Sequence, residues 1–129
     1  MGEILKILLV EDNLLNQRIV LFGFKKYNHE ITVANNGLEA VAKFMESEYD
    51  VILMDIMMPV MDGLESTVKI REVEQINNSS RRTPIIALTA NTMDNDRSRC
   101  ISYGMDDFMA KPFDIEKLKM IFHKLDITL

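Results

Sequence analysis

The sequence predicts a doubly wound α/β fold: a five-stranded parallel sheet of order 2-1-3-4-5, covered on both faces by five helices in a three-layer sandwich. One observation is the apolar run VILM at 51–54, which ends in Asp55, because strands covered on both faces are apolar without alternation. The other is that short apolar runs alternate with stretches of helical period, which favours parallel strands and right-handed crossovers. The 129 residues suit one domain, expected to span 1–129.

The first half of the chain is expected to supply three strands and two helices. The strands are predicted at 4–10, 31–34 and 51–55. The first helix is predicted over 14–27, where apolar residues recur at helical spacing, with Asn28 as a left-handed stop. The Asn-Gly pair at 36–37 can mark a hairpin, but the period after it is that of a helix. That helix is expected to bury Ala40, Val41, Phe44 and Met45.

The second half is expected to supply the remaining two strands and three helices. The helices are predicted over 64–74, over 93–103 and from the N-cap Asp114 onward, and the strands over 84–88 and 107–110. The middle helix is the least apolar, and Gly104 ends it. The last helix is expected to bury Ile115, Leu118, Ile121, Phe122 and Leu125. Because strands 1, 3 and 4 are the most apolar, strands 2 and 5 are predicted to be the edges.

Composition excludes several classes of protein. Hydrophobic residues make up 47% and charged residues 27%, as in ordinary soluble domains, and no apolar run reaches the roughly 20 residues of a membrane span. The net charge of −5 argues against nucleic acid as the main partner. A single cysteine, Cys100, rules out an internal disulfide and a cysteine-cluster zinc site, and fits a reducing, cytoplasmic setting with Cys100 in the core.

Chemically active side chains follow four of the five predicted strands. Strand 1 ends at Glu11 and Asp12, strand 3 at Asp55, strand 4 at Thr89 and strand 5 at Lys111. The carboxyl ends of parallel strands share one edge of the sheet, so these groups should converge. Three carboxylates repel one another unless a cation such as Mg²⁺ joins them, while lysine and threonine suit phosphoryl oxygens. The set predicts a magnesium-dependent phosphoryl site with an aspartate nucleophile.

Five segments, spread between Ile4 and Leu125, resemble the receiver domain of two-component response regulators. They are LLVEDN (8–13), ANNGLEA (34–40), VILMDIMMPVMDGLE (51–65), TPIIALTA (83–90) and GMDDFMAKPF (104–113). Their order and spacing match the family, whose fold is flavodoxin-like. The sequences EDNLLNQ, ALTAN and CISYGMDDFMAKPF resemble in particular the receivers of hybrid sensor histidine kinases.

The resemblance implies a role for each residue of the acidic group. Asp55 would be the phosphoacceptor, receiving phosphate from a phosphohistidine of a histidine kinase as an acyl phosphate. Glu11, Asp12 and Asp55 would hold Mg²⁺ together with the backbone carbonyl of Met57.

Further roles implied by the resemblance concern switching and lifetime. Thr89 would move toward the phosphoryl group and Phe108 would rotate inward with it. The surface would then change on the fourth predicted helix (helix 4, 93–103), on strand 5 (107–110) and on the fifth predicted helix (helix 5, after Asp114). Lys111 would pair with Asp55 before phosphorylation and would precede a cis peptide bond to Pro112. The family tunes acyl-phosphate lifetime through the positions occupied here by Met57 and Asn91. Because Met57 cannot orient an attacking water, we expect slow self-dephosphorylation.

The resemblance also leaves alternatives open for the context of the domain. We expect no DNA-binding output domain after helix 5, and the chain is expected to be either a receiver from a hybrid kinase, passing phosphate to a histidine phosphotransfer domain, or a free-standing receiver. Dimerisation on activation stays open, and no membrane contact is expected of this segment. An aspartate-nucleophile phosphatase would need a second aspartate where Met57 stands, and a flavin carrier would need a phosphate-binding loop where the chain is acidic.

Other residues have simpler interpretations. A copper(I) site made by Met54, Met57, Met58 and Met61 is less plausible than adaptable packing. His29 and His123 lie apart, so a metal role for them is not expected. Lys25-Lys26 and Arg81-Arg82 are interpreted as solvated charges.

Overall fold

The computed structural model describes residues 4–77, 81–90 and 94–128, and for residues 94–96 it describes the backbone alone. Within these ranges five strands alternate with five helices along the chain. The strands are β1 Lys6–Val10, β2 Glu30–Ala34, β3 Val51–Asp55, β4 Ile85–Thr89 and β5 Asp107–Ala110. The helices are α1 Leu14–Gly23, α2 Gly37–Glu46, α3 Gly63–Ile76, α4 Asp94–Ser102 and α5 Ile115–Lys124. None of the helices in these ranges combines the length and apolar character that a bilayer crossing requires.

All neighbouring strands of the sheet pair in parallel, in the order β2-β1-β3-β4-β5. The predicted topology is therefore confirmed, with β2 and β5 at the edges. Every residue of β3 is buried, as the unbroken apolar run of that strand predicts.

The core consists of two apolar clusters, one on each face of the sheet. One cluster joins the strands to α2, α3 and α4, and includes Ala40, Leu64, Ile70 and Cys100. The other joins the strands to α1 and α5, through Val20, Phe24, Leu118 and Phe122. Burial of both sheet faces fixes which end of each strand meets solvent, and thereby the position of the functional site. The predicted burial of Cys100 is confirmed.

Four helices begin with an Asn or Asp N-cap at the carboxyl edge of the sheet. The cap side chains each accept a hydrogen bond from a backbone N–H in the first turn. They are Asn13 for α1, Asn36 for α2, Asp62 for α3 and Asp114 for α5. Such caps contribute about 1 kcal/mol each to helix stability, so the loops after β1, β2, β3 and β5 are held in defined positions around the site.

Three local predictions are wrong. Helix α1 ends at Gly23, not at residue 27, because glycine favours helix ends and the following turn directs Phe24 into the core. Asn28 does not adopt the left-handed backbone conformation that was predicted for it as a helix stop. Among the described non-glycine residues, only Val60 and Asp126 have a positive φ. Met45 is exposed because it lies on the outer side of α2.

The arginines interpreted as solvated charges make ion pairs at the amino edge of the sheet. Arg81 contacts Asp50 at 2.6 Å and Arg82 contacts Asp106 at 3.0 Å. Asp106 also pairs with Arg71 of α3 at 2.8 Å, and Arg71 donates a further hydrogen bond to the carbonyl of Gly104, 2.9 Å away. Gly104, at φ 108°, ends α4 as predicted. These bonds tie the turn between α4 and β5 to α3, far from the carboxyl edge.

Candidate functional site

The strand register brings the predicted site residues to one place at the carboxyl edge of the sheet. Val10 lies opposite Met54, so Glu11 and Asp55 follow at the same level on β1 and β3. Asp55 lies opposite Leu88, and Thr89 is therefore one residue beyond it on β4. Thr89 lies opposite Ala110, which places Lys111 directly after β5. Sequence reasoning anticipated this convergence from the strand ends alone.

Glu11, Asp12 and Asp55 form the acidic cluster of the site. Each supplies a carboxylate oxygen, and these oxygens lie within 4.8 Å of one another. Glu11 and Asp55 are buried, the latter only 4% exposed, while Asp12 faces solvent. Asp55 is thus almost fully enclosed, although it is a charged group at a strand end.

Lys111 partly neutralises the cluster. Its Nζ lies 3.2 Å from Asp55 Oδ1 and 3.3 Å from Glu11 Oε1. Burial alone would lower the pKa of Lys111, but the charges of Asp55 and Glu11 and their hydrogen bonds outweigh it and raise that pKa above its ordinary value. The ammonium therefore stays charged at neutral pH, and the predicted pair between Lys111 and Asp55 is present in the structure.

Gln17 orients the acidic loop after β1, a role that sequence reasoning missed. Its Nε2 donates to the carbonyl oxygen of Glu11 at 2.6 Å and to Asn35 Oδ1 at 2.9 Å. The carboxylate of Glu11 in turn accepts a hydrogen bond from the N–H of Asn13 at 3.1 Å. Gln17 is buried on the inner face of α1, and a polar residue on that face is the signal that points to such a role.

Gly63 lets the loop after β3 pack closely behind Asp55. A side chain on Gly63 would overlap the carbonyl oxygen of Asp55, and the Gly63 N–H donates to the Ile56 carbonyl at 2.8 Å. Close packing here requires the absence of a Cβ. The loop that carries Met57 is held against the end of β3 as a result.

The remaining predicted residues lie around this cluster. Thr89 is buried at the end of β4, and the peptide bond between Lys111 and Pro112 is cis, as predicted. Phe108 is partly buried against the core cluster that includes α4, with the Arg97 guanidinium 5.8 Å from its ring centroid. The side chain of Met57 points to solvent. Asn91, predicted to affect lifetime, lies outside the described residues.

The donor set fits a hard divalent cation. The cluster offers three carboxylates against one ammonium, and Mg²⁺ prefers oxygen ligands, with one or two carboxylates plus water and phosphate oxygens. The exposed position of Asp12 leaves the solvent side of the cluster open to an ion and to a phosphoryl group.

Comparison with known proteins agrees with this geometry. The family model of the response regulator receiver domain matches residues 7–123. The chain belongs to this family. Two similar proteins are hybrid signal transduction histidine kinase K of Dictyostelium discoideum and histidine kinase 5 of Arabidopsis thaliana. The first is 41% identical over 91% of this chain, and the second is 38% identical over 88% of this chain. The receiver spans only 10% and 15% of the lengths of these two relatives. The predicted resemblance to receivers of hybrid histidine kinases is confirmed.

Solved receiver structures share the fold. The receiver domain of a sensor histidine kinase from Pseudomonas aeruginosa, with a magnesium ion coordinated in its active site cleft, is 40% identical with a TM-score of 0.82, covering 95% of this chain and 97% of that one. The receiver domain of the Saccharomyces cerevisiae response regulator Ssk1, crystallised with the histidine phosphotransfer protein Ypd1, is 32% identical with a TM-score of 0.84, covering 95% and 89%. Both comparisons confirm the predicted flavodoxin-like fold of a receiver domain.

Proposed function

We propose that Asp55 is the phosphoacceptor of this receiver, taking a phosphoryl group from a phosphohistidine in a Mg²⁺-dependent reaction. The single observation that carries the proposal is the placement of the Asp55 carboxylate, buried at the end of β3, beside Lys111 and the carboxylates of Glu11 and Asp12. The fold alone would not carry it, because one fold hosts many functions.

In the proposed reaction a carboxylate oxygen of Asp55 attacks the phosphorus atom of the donor. A P–O bond forms and the P–N bond to the donor histidine breaks, with its electron pair returning to the imidazole nitrogen; the product is an acyl phosphate. Lys111, 3.2 Å from Asp55, balances charge on the phosphoryl oxygens, and the hydroxyl of Thr89 donates to one of them. Glu11, Asp12, Asp55 and the backbone carbonyl of Met57 would hold Mg²⁺, which neutralises charge developing on the phosphoryl group.

We further propose that the acyl phosphate changes the surface formed by α4, β5 and α5. Thr89 would move toward the phosphoryl group and Phe108 would follow it inward. Phe108 is only partly buried, and α4 contributes few apolar residues to the core, with Cys100 its one buried side chain among 97–102. Weakly anchored elements are the ones that rearrange at low free-energy cost.

We expect a long-lived acyl phosphate. The Met57 thioether side chain cannot orient a water for attack on the phosphoryl group, and Asn91 occupies the second position that tunes lifetime in the family. A half-life of seconds, followed by phosphate release, would contradict this expectation.

We propose that residues 1–129 form one receiver unit of a hybrid histidine kinase, working in the cytoplasm. Its similarity to receivers of hybrid kinases supports a histidine kinase domain as donor, and the similarity to the Ssk1 receiver crystallised with Ypd1 supports a histidine phosphotransfer protein as partner. A free-standing response regulator is the alternative. Analytical ultracentrifugation with and without phosphorylation would show whether activation produces a homodimer.

Intact mass spectrometry after incubation with Mg²⁺ and acetyl phosphate tests the phosphoacceptor proposal. We expect one added phosphoryl group in the wild type, none in Asp55→Asn, and none when Mg²⁺ is chelated. Asp114→Asn is the matched control, since asparagine keeps the N-cap of α5 and the site is untouched.

The control should be labelled like the wild type. Labelling of Asp55→Asn at the wild-type level would overturn the assignment. Rapid phosphate release that depends on Asp55, with no adduct, would instead indicate a phosphatase.

A further inference from the structure

The ring of Phe113, two residues after Lys111, lies directly against the end of α1. A Cβ on Gly23 would come 2.6 Å from Cε2 of Phe113, roughly 1 Å closer than carbon atoms pack. The Phe113 ring also contacts Phe24, with centroids 6.0 Å apart, and packs against the core cluster on this face of the sheet. Glycine at position 23 therefore leaves the space that the ring occupies.

The helix itself gives no reason for glycine at position 23. Gly23 is the last residue of α1 and does not have a positive φ, so its backbone conformation is one that other residues adopt. Alanine is a better helix former than glycine and would favour the last turn of α1. What glycine permits at this position is the close approach of Phe113.

A cavity of about 50 Å³ lies between α1 and the Lys111 side of the same loop. Its lining includes Ile19 and Val20 from α1, and Lys111 and Pro112 from the loop. Side chains that line an empty space lose packing contacts, so α1 packs only loosely beside Lys111. The close contact between this loop and α1 is instead made by Phe113.

The position of Phe113 affects Lys111 because the chain after Phe113 is fixed. Asp114 caps α5 by accepting a hydrogen bond from a backbone N–H at 2.9 Å, and α5 is anchored in the core by the fully buried Leu118. The Lys111 N–H donates to the Thr89 carbonyl at 2.7 Å, which fixes that nitrogen but not the direction of the side chain. A displaced Phe113 therefore turns Lys111 and leaves α5 in place.

The contacts of the Lys111 ammonium tolerate little movement. Nζ lies 3.2 Å from Asp55 and 3.3 Å from Glu11, at the long end of hydrogen-bond geometry, so a shift of about 1 Å would break both contacts. The same shift would remove a positive charge that opposes the binding of a metal cation by these two carboxylates. Slower phosphoryl transfer and tighter Mg²⁺ binding would then occur together.

We propose that Phe113, seated on Gly23, is a positioning residue for Lys111 in phosphoryl transfer to Asp55. The inference rests on the proposed function and adds the end of α1 to it, as the support that keeps the ammonium at the site. Phe113 acts through Lys111 and takes no part in the chemistry.

Gly23→Ala, Phe113→Leu and the double variant test this contact. Leucine lacks Cε2, the ring carbon that a Cβ at position 23 would meet most closely, so the double variant relieves the overlap. Phe22→Leu is the matched control, because Phe22 adjoins Gly23 but is 76% exposed. Intact mass spectrometry gives the rate of labelling by acetyl phosphate at saturating Mg²⁺, and titration calorimetry gives the Mg²⁺ affinity without a phosphate donor.

We expect Gly23→Ala to slow labelling about tenfold, because a positioned group is misplaced, and to tighten Mg²⁺ binding about threefold. Phe113→Leu should change both quantities in the same directions by about twofold, since the loop loses part of its support. In the double variant alanine should add nothing to the effect of leucine, because the overlap is gone. Phe22→Leu should match the wild type in both measurements.

Three results would overturn the inference. Wild-type labelling and Mg²⁺ affinity in Gly23→Ala would show that the ring yields without moving Lys111. Slower labelling with unchanged or weaker Mg²⁺ binding would indicate a general loosening of the site. An alanine effect that persists in the double variant would place its cause in the helix and not in the contact with Phe113.

Two further outcomes are separated by the same measurements. If Gly23→Ala does not fold, Phe113→Leu decides, and a wild-type Mg²⁺ affinity in that variant would reject the positioning role. Absence of labelling in the wild type would instead refute the proposed phosphoacceptor function, while the Mg²⁺ affinities would still test the contact between Phe113 and Gly23.

Discussion

Replacing Lys111 by methionine should destabilise the domain, because its ammonium group is shared by two buried carboxylates. Nζ lies 3.2 Å from Asp55 and 3.3 Å from Glu11, whose side chains are 5% and 1% exposed. Removing one partner of a buried ion pair typically costs 3–5 kcal/mol of unfolding free energy; since Lys111 is 27% exposed, solvent screening reduces the expected loss to about 2–3 kcal/mol. Methionine keeps most of the side-chain volume, so the loss reports charge.

Urea unfolding followed by circular dichroism measures this loss. In chelator-treated buffer at pH 7 the midpoint of Lys111→Met should fall by about 1.5 M relative to the wild type. Saturating Mg²⁺ should recover part of it, since a cation bound by the same carboxylates replaces the missing charge. Lys69→Met is the control, because Lys69 pairs with Glu72 at 3.9 Å on the surface, where such pairs contribute less than about 1 kcal/mol.

The pH dependence gives a second check on the same variant. The pKa of Lys111 is raised above 10.5 in the folded state, so its stabilising contribution is complete below pH 10.5 and is lost as pH rises through the folded-state pKa. The difference between wild type and Lys111→Met should therefore persist through neutral pH and shrink in strongly alkaline buffer. A midpoint for the variant equal to or above that of the wild type at pH 7 would refute the electrostatic account.

Three further perturbations test other parts of the structure, two beside the site and one at the opposite edge of the sheet. Gly63→Ala should lower the unfolding free energy by about 1–3 kcal/mol and slow labelling by acetyl phosphate, since its Cβ would overlap the Asp55 carbonyl; wild-type behaviour in both assays would show that the loop can retreat. Gln17→Met should cost about 1–2 kcal/mol and weaken Mg²⁺ binding measured by titration calorimetry, because the Glu11 carbonyl loses its 2.6 Å hydrogen bond; unaltered affinity would limit Gln17 to a packing role. Burial lowers the pKa of His29 below 6.5, although the charge of a nearby carboxylate acts in the opposite direction. Below pH 6.5 the unfolded chain therefore binds more protons than the folded chain, and the free energy of unfolding should fall as the pH drops. His29→Gln should flatten Tm between pH 7 and pH 5; a slope equal to that of the wild type would exclude His29 as its source.

The sequence alone determined the fold and the position of the site. The unbroken apolar runs at β1, β3 and β4 have one stable environment, a parallel sheet covered on both faces, and the carboxyl ends of its strands must share an edge. Polar residues at the ends of these runs, Glu11, Asp55 and Thr89, are therefore brought together by topology rather than by any local signal.

Tertiary structure alone decided the details that depend on contacts between distant segments. The Gln17 side chain could bond to the Glu11 backbone only once α1 had packed against β1, and Arg82 met Asp106 only because β4 and β5 are neighbours. Helix α1 ended four residues early because burial of Phe24 outweighed the apolar spacing that continues to residue 27.

The conformation of Val60 belongs to the same group of features. Its φ of 70° contradicts the local preference of valine and follows from the closure of the loop between β3 and α3. Local sequence encodes periodicity and propensity, whereas burial, register and loop closure arise from the whole chain. The residues that depart from local preference are therefore visible only in the folded molecule.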